Sequence, residues 1–189
     1  MFSGIIEKKG KILSIENGTY TVENLYGSEL TLGQSIAHDG ACMTINGFTS
    51  ESYSFFVMLE SLAKTNFGSK KTGDFFNLER SLKVSDRIDG HFVSGHIDCI
   101  GLVKKRELLD DGSLLLGINF PETFSKYTII KGSIALNGVS LTIAEKSDGY
   151  ILVSLIPLTQ DWTNLGEINL SDCINIEFDL LGKYILNTK

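Results

Sequence analysis

Small polar side chains at alternate positions are the first candidates for chemistry in this sequence: Cys42 and Thr44 after Asp39-Gly40, and Ser140 and Thr142 after Asn137-Gly138. Asn-Gly and Asp-Gly dipeptides favour tight hairpins, and side chains alternate along the strand that follows, so each pair shares one strand face. One such pair alone reads as half-buried barrel packing; its recurrence at the same place in two segments points to a polar pocket in each. The three histidines are further candidates. His91 and His96, five apart, would face opposite sides of a strand, so a shared metal is not expected. His96 stands where the other copy has Ile5, a polar residue at one of two equivalent apolar positions. His38, matched to Leu136, is expected in a turn and solvated. Glu177 and Asp179, with Glu79 matching Glu177, could serve acid–base chemistry or form a charged rim facing solvent. Cys42 has no neighbouring Cys-His motif, and a buried thiol is the commoner case. No Gly-rich nucleotide loop and no Cys-x-x-Cys pair occurs, so neither a nucleotide cofactor nor zinc is indicated.

The elements that must position these residues are themselves duplicated. Residues 33–45 and 131–143 align at an offset of 98, as from Ser35 to Ser133 or Thr44 to Thr142, and the register holds to Glu79 and Glu177 without insertion. Nearer the start the offset is 91, from Ser3-Gly4 to Ser94-Gly95. Within each copy the segments are short, rich in β-branched and aromatic residues, and divided by Gly-Asn-Asp turns. In the first copy strands are expected at 5–14, 19–23, 35–38, 42–48 and 53–59. Five or six such strands without a long helix predict a small closed antiparallel barrel, since closure removes exposed edges. Brief helical turns are expected at 61–66, 121–126 and 159–164. Leu180, Leu181, Tyr184 and Ile185 form one apolar face of a short terminal helix, which needs a docking surface because two turns are marginal alone.

Composition bounds the function classes. The 189 residues are 42% apolar with a net charge of −6 and no run of Lys or Arg, which argues against a nucleic acid or an anionic membrane as partner. No basic n-region precedes an apolar run, and no stretch approaches the roughly 20 residues needed to span a bilayer. Three widely spaced cysteines fit a reduced, cytoplasmic protein without a disulfide framework.

Four separated motifs, in order, carry a family resemblance: Met-Phe-Ser-Gly-Ile-Ile-Glu at 1–7, Gly-His-Phe-Val-Ser-Gly-His-Ile-Asp at 90–98, Asn-Gly-Val-Ser-Leu-Thr at 137–142, and Glu-Phe-Asp-Leu-Leu-Gly-Lys-Tyr at 177–184. Together they resemble riboflavin synthase of the single-chain, two-barrel type, over essentially the whole chain. The resemblance implies an all-β chain of two tandem six-stranded Greek-key barrels: a lumazine-binding barrel at 1–90, a second at 91–179, and a trimerisation helix at 180–189. It implies a transferase that needs no cofactor and no metal. Two molecules of 6,7-dimethyl-8-ribityllumazine exchange a four-carbon unit, giving riboflavin and 5-amino-6-ribitylamino-uracil, the last step of riboflavin biosynthesis. A homotrimer, with the catalytic site joining the N-barrel of one subunit to the C-barrel of its neighbour, and an association with lumazine synthase are implied too.

Carried over by position, the N-barrel pocket would use Ser35, Cys42, Met43 and Thr44, with the strand end Phe56, Val57, Met58, Leu59, Glu60 and Ser61. Gly95, His96, Ile97 and Lys131 would come to it from the facing C-barrel. The C-barrel pocket would use Ser140, Leu141 and Thr142, with Ser154, Leu155, Ile156, Pro157, Leu158 and Thr159, and Gly4, Ile5 and Ile6 from the facing N-barrel. Ser140, His96, Cys42 and Asp179 are the expected catalytic residues. Because one lumazine gives and the other takes, the mismatches Cys42/Ser140, Ile5/His96 and Glu60/Leu158 are where the two pockets should divide their labour. Lumazine and yellow fluorescent proteins share this fold as non-catalytic antennae, but they tend to lose the Ser-Gly-His and Ser-Leu-Thr motifs, which this chain keeps.

Overall fold

The structure, a computed structural model, describes residues 1–187. Six antiparallel strands, β1 (Lys8–Glu16), β2 (Thr19–Glu23), β3 (Ser35–His38), β4 (Ala41–Phe48), β5 (Ser52–Phe56) and β6 (Phe75–Arg80), close in the order β1-β2-β5-β4-β3-β6. The second set, β7 (Cys99–Leu108), β8 (Leu114–Asn119), β9 (Ser133–Leu136), β10 (Val139–Ser147), β11 (Tyr150–Leu155) and β12 (Cys173–Phe178), closes in the same circular order. In each barrel three hairpin-linked strands are followed by one that returns beside the first, which is the Greek key. The expected barrels are therefore present.

Local chemistry accounts for the closure. Asp39-Gly40 and Asn137-Gly138 both carry positive φ, 44°/83° and 44°/78°, the two-residue turn whose twist matches its flanking strands. Register shifts between Ile12/Ser14 and Ile45/Gly47 recur between Val103/Lys105 and Ile143/Glu145, so each barrel bends at equivalent bulges. Met43 and Ile45, like Leu141 and Ile143, face the interior, which leaves Cys42 with Thr44 and Ser140 with Thr142 on the outer face.

The short helices begin two residues before their expected place: α1 spans Leu59–Lys64 and α2 Pro157–Trp162, and a 3-10 turn spans Glu122–Tyr127. The first strand starts at Lys8 rather than at residue 5, because the segment before it leaves its own barrel. The terminal helix α3 (Leu180–Asn187) is held by Asp179, whose Oδ1 accepts from the Leu181 N–H at 3.0 Å, and by Lys183 against Asp98 at 2.8 Å. Of the terminal segment at 180–189, Thr188 and Lys189 lie outside the described residues. Among the described residues no helix is long and apolar enough to cross a membrane.

The two cores differ. The C-barrel interior is mostly aliphatic, with Leu116, Ile118, Val153, Ile174 and Ile176 at its centre. The N-barrel interior is aromatic, with Tyr20, Phe55, Phe67 and Phe76 packed together. His38 belongs to this cluster and is not solvated. It is fully buried at the end of β3, its ring centroid 4.1 Å from that of Phe55, with Nε2 2.7 Å from the Tyr53 hydroxyl. The strand continues through residue 38 and the turn begins at Asp39, so the histidine points inward. Burial pulls its pKa down to about 3.

Between the barrels the contact is polar and nearly two-fold. The Asn66 N–H donates to Asn175 Oδ1 at 2.6 Å, and its equivalent, the Asn164 N–H, donates to Asn77 Oδ1 at 2.7 Å. Where the two turns meet, a Cβ on Gly138 would lie 2.7 Å from the Gly40 nitrogen, so only glycine fits there. Buried Asp39 joins this network and pairs with Lys70 at 2.6 Å.

Candidate active site

The segments ahead of each barrel cross. Phe2 and Val93 form an antiparallel bridge, with Phe2 N–H to Val93 O at 2.7 Å and Val93 N–H to Phe2 O at 3.1 Å, and both side chains are buried between the barrels. The crossing lays residues 3–6 on the C-barrel and residues 94–97 on the N-barrel. Ser140 N–H donates to Gly4 O at 2.8 Å, and Cys42 N–H donates to Gly95 O at 2.8 Å. A Cβ on Gly4 would stand 2.7 Å from Ser140 Cβ, and one on Gly95 2.6 Å from Cys42 Cβ; both glycines have positive φ. Ile6 completes the C-barrel core and Ile97 packs on the N-barrel core. The loop that closes each pocket therefore comes from the other barrel of the same chain.

The strand-end glutamates hold these loops and are not a solvent rim. Glu177 is 1% exposed and Glu79 4%. Glu177 accepts from Ser94 N–H at 2.6 Å, Ser94 Oγ–H at 2.7 Å, Gly95 N–H at 2.9 Å and His96 N–H at 3.1 Å. Glu79 accepts from Ser3 N–H and Oγ–H and from Gly4 N–H at 2.7, 2.8 and 3.0 Å. Burial pushes the Glu79 pKa up, and the donors from Ser3, Gly4 and Ile5 pull against that rise.

On the N-barrel these parts enclose a cavity of about 350 Å³. Ala41, Cys42 and Met43 line it from β4; Met58, Glu60, Ser61, Lys64 and Thr65 from the strand end and α1; and Gly95, His96 and Ile97 from the crossing loop. Eight of the expected pocket residues are thus brought together. Ser35 and Thr44 sit opposite each other on the β3–β4 ladder, Val57 is in the core, and Phe56 and Leu59 are exposed; none of these lines the cavity. Nor does Lys131, which occupies the turn before β9. At the rim the Lys64 ammonium stands 2.8 Å from Glu60, which raises the Lys64 pKa and lowers that of Glu60. The C-barrel has Leu158 and Trp162 at these places, so the two mouths differ in polarity.

On the C-barrel, Ser140 and Thr142 share a face of β10, Leu141 points inward, and Ser154 and Leu155 end β11 before Ile156 and the α2 residues Pro157, Leu158 and Thr159. Ser140 has a partner that its motif did not reveal: His91 Nδ1 lies 2.7 Å from Ser140 Oγ. The 90–98 segment is not a regular strand, and it delivers its two histidines to different pockets, His91 to Ser140 and His96 to the N-barrel cavity. Burial lowers the His91 pKa, opposed by the negative charge of Asp179, and Nε2 is buried without a hydrogen-bond partner. A neutral imidazole against a serine hydroxyl is an arrangement for general-base help. A larger cleft, about 610 Å³, opens over the asparagine cluster between Lys70, Asp74, Glu167 and Asp172; it contains none of the expected pocket residues.

The arrangement defines a protein of two equivalent barrels, each crossed by a loop from the other, and the lumazine binding domain matches twice, at residues 3–81 and 94–179. Riboflavin synthase of Actinobacillus pleuropneumoniae is 37% identical over 190 residues, 98% of this chain and 88% of that protein. Those of Escherichia coli K12 (35%, all of this chain and 91% of that one) and Bacillus subtilis 168 (33%, 98% and 88%) are similar over the same extent. The chain belongs to the riboflavin synthase family of enzymes. Crystal structures of LumP share the fold: the riboflavin complex superposes with a TM-score of 0.87 at 22% identity, covering 94% of this chain and 99% of LumP. The complex with 6,7-dimethyl-8-(1'-D-ribityl) lumazine gives 0.82 at 23%, covering 94% and 98%.

Proposed function

We propose that this chain converts two molecules of 6,7-dimethyl-8-ribityllumazine into riboflavin and 5-amino-6-ribitylamino-uracil, each of its two barrels, 1–90 and 91–179, binding one lumazine. The observation that carries this reading is the pair of pseudo-equivalent pocket sites, each closed by a clamped loop from the other barrel. A reaction between two identical molecules needs two similar pockets, and holding both converts a collision into a positioned encounter. Atoms balance between the two lumazines and the two products, so no external oxidant enters. Ser140 helps activate the nucleophile that adds to one ring; His96 and Cys42 assist proton removal from the C7 methyl of the other. Asp179 acts through its charge on His91. The purified chain incubated with the lumazine alone is expected to develop riboflavin absorbance. Persistent lumazine fluorescence without conversion would instead make it an antenna protein.

The same reading includes a cytoplasmic homotrimer, with the donor and acceptor pockets facing each other across subunits, and lumazine synthase as a further partner. What supports the trimer is α3, which leaves Leu181 and Tyr184 more than half exposed. Leu181→Glu combined with Tyr184→Glu is expected to give monomers by light scattering and to cut turnover at least about tenfold with the fold intact. Full activity as a monomer would refute the intersubunit site.

A further inference from the structure

We infer that Glu177 and Glu79 are positioning residues wired crosswise: each is carried by the last strand of one barrel and sets the pocket of the other. Resting on the lumazine-binding reading above, this names the residues that hold the binding geometry. Glu177 stands on β12 of the C-barrel, yet the three backbone N–H groups and the serine hydroxyl that it accepts belong to residues 94–96, which close the N-barrel cavity. The loop is fastened at its far side by Cys42 N–H to Gly95 O. Glu79 on β6 of the N-barrel holds Ser3 and Gly4, and Gly4 O receives Ser140 N–H from the C-barrel. Both carboxylates are buried, so their partners must come from the loops. The two clamps are not equivalent in what they deliver, since residues 94–96 bring an imidazole and residues 3–5 bring Ile5. Glutamine cannot replace either glutamate without turning an N–H₂ donor toward N–H groups.

The cross-wiring predicts a pattern that a merely structural role would not produce. In ¹⁵N-labelled full chain titrated with riboflavin, the amides of Cys42 and Ser140 report the two pockets separately. Glu177→Gln is expected to weaken the titration seen at Cys42 about tenfold and to leave that at Ser140 within about twofold; Glu79→Gln is expected to do the reverse. Ser94→Ala, which removes one of the four donors to Glu177, is expected to weaken Cys42 alone by about threefold, and it serves should Glu177→Gln not fold. In turnover, Glu177→Gln should lower kcat because His96 moves with its loop. Equal weakening at both amides, or weakening confined to the variant's own barrel, overturns the inference. Absence of riboflavin binding by the unaltered chain overturns the lumazine-binding reading and this inference with it.

Discussion

Ser140→Ala is expected to lower kcat by about 10²-fold while lumazine affinity changes by less than about threefold. The side chain is on the outer face of β10 and half-buried, so losing one hydroxyl costs the barrel little packing. What is lost is the group that His91 Nδ1 touches at 2.7 Å. His91→Gln is expected to give a similar loss, and the double variant little more than either single one, because the two act as a unit. The pH dependence gives the sign. Burial lowers the His91 pKa below the ordinary 6.5, so the ring is neutral at about pH 7 and the acid limb of kcat/KM lies below about pH 6.5. Asp179→Asn removes the charge that favours protonation, so the limb should move to still lower pH. Stopped-flow measurement of lumazine consumption across pH tests all three. Equal losses in turnover and affinity, or an acid limb that His91→Gln leaves in place, would sink the assignment.

The barrels and the shared strand face of Cys42 with Thr44 and of Ser140 with Thr142 were legible in the sequence, because they follow from a repeat in register and from side-chain alternation. The crossing of the pre-barrel segments was not legible in the repeat: only the family resemblance set 95–97 on an N-barrel and 4–6 on a C-barrel, and neither showed that both belong to one chain. Ser3-Gly4 and Ser94-Gly95 match each other, but a match says only that two segments do the same thing, not on which barrel they do it. The burial of Glu79 and Glu177 was hidden for a related reason. Their partners are N–H groups 75 to 83 residues away, and a backbone donor leaves no mark in the sequence. His38 misled because a polar residue beside Asp-Gly reads as turn; its inward orientation depends on where β3 ends, and its polar partner is Tyr53 on β5. In each case the missing information is long-range and polar, whereas apolar alternation is local and survives in the sequence.

His38 also makes the N-barrel the acid-labile half. Its pKa of about 3 when folded lies below the ordinary 6.5, so the unfolded chain binds the extra proton between those values. Stability from the buried neutral ring is therefore full above about pH 6.5 and is lost as pH falls. The loss amounts to ~2 kcal/mol by about pH 5 and ~4 kcal/mol by about pH 3. The C-barrel interior has no such buried histidine, since Leu136 and Ile151 occupy the places of His38 and Tyr53. Transplanting that solution tests the claim. His38→Leu alone strands the Tyr53 hydroxyl in the core and should cost ~1–3 kcal/mol at neutral pH. Adding Tyr53→Phe removes the stranded hydroxyl and should recover most of that cost. In urea melts at about pH 7.5 and pH 5, the double variant is expected to lose ~2 kcal/mol less on acidification than the unaltered chain. The same difference on both would refute it. This loss is separable from the His91 limb. Titration of His91 slows turnover at once and without unfolding, whereas the His38 contribution appears as a lower urea midpoint. The double variant should therefore keep its acid rate limb while losing its acid lability.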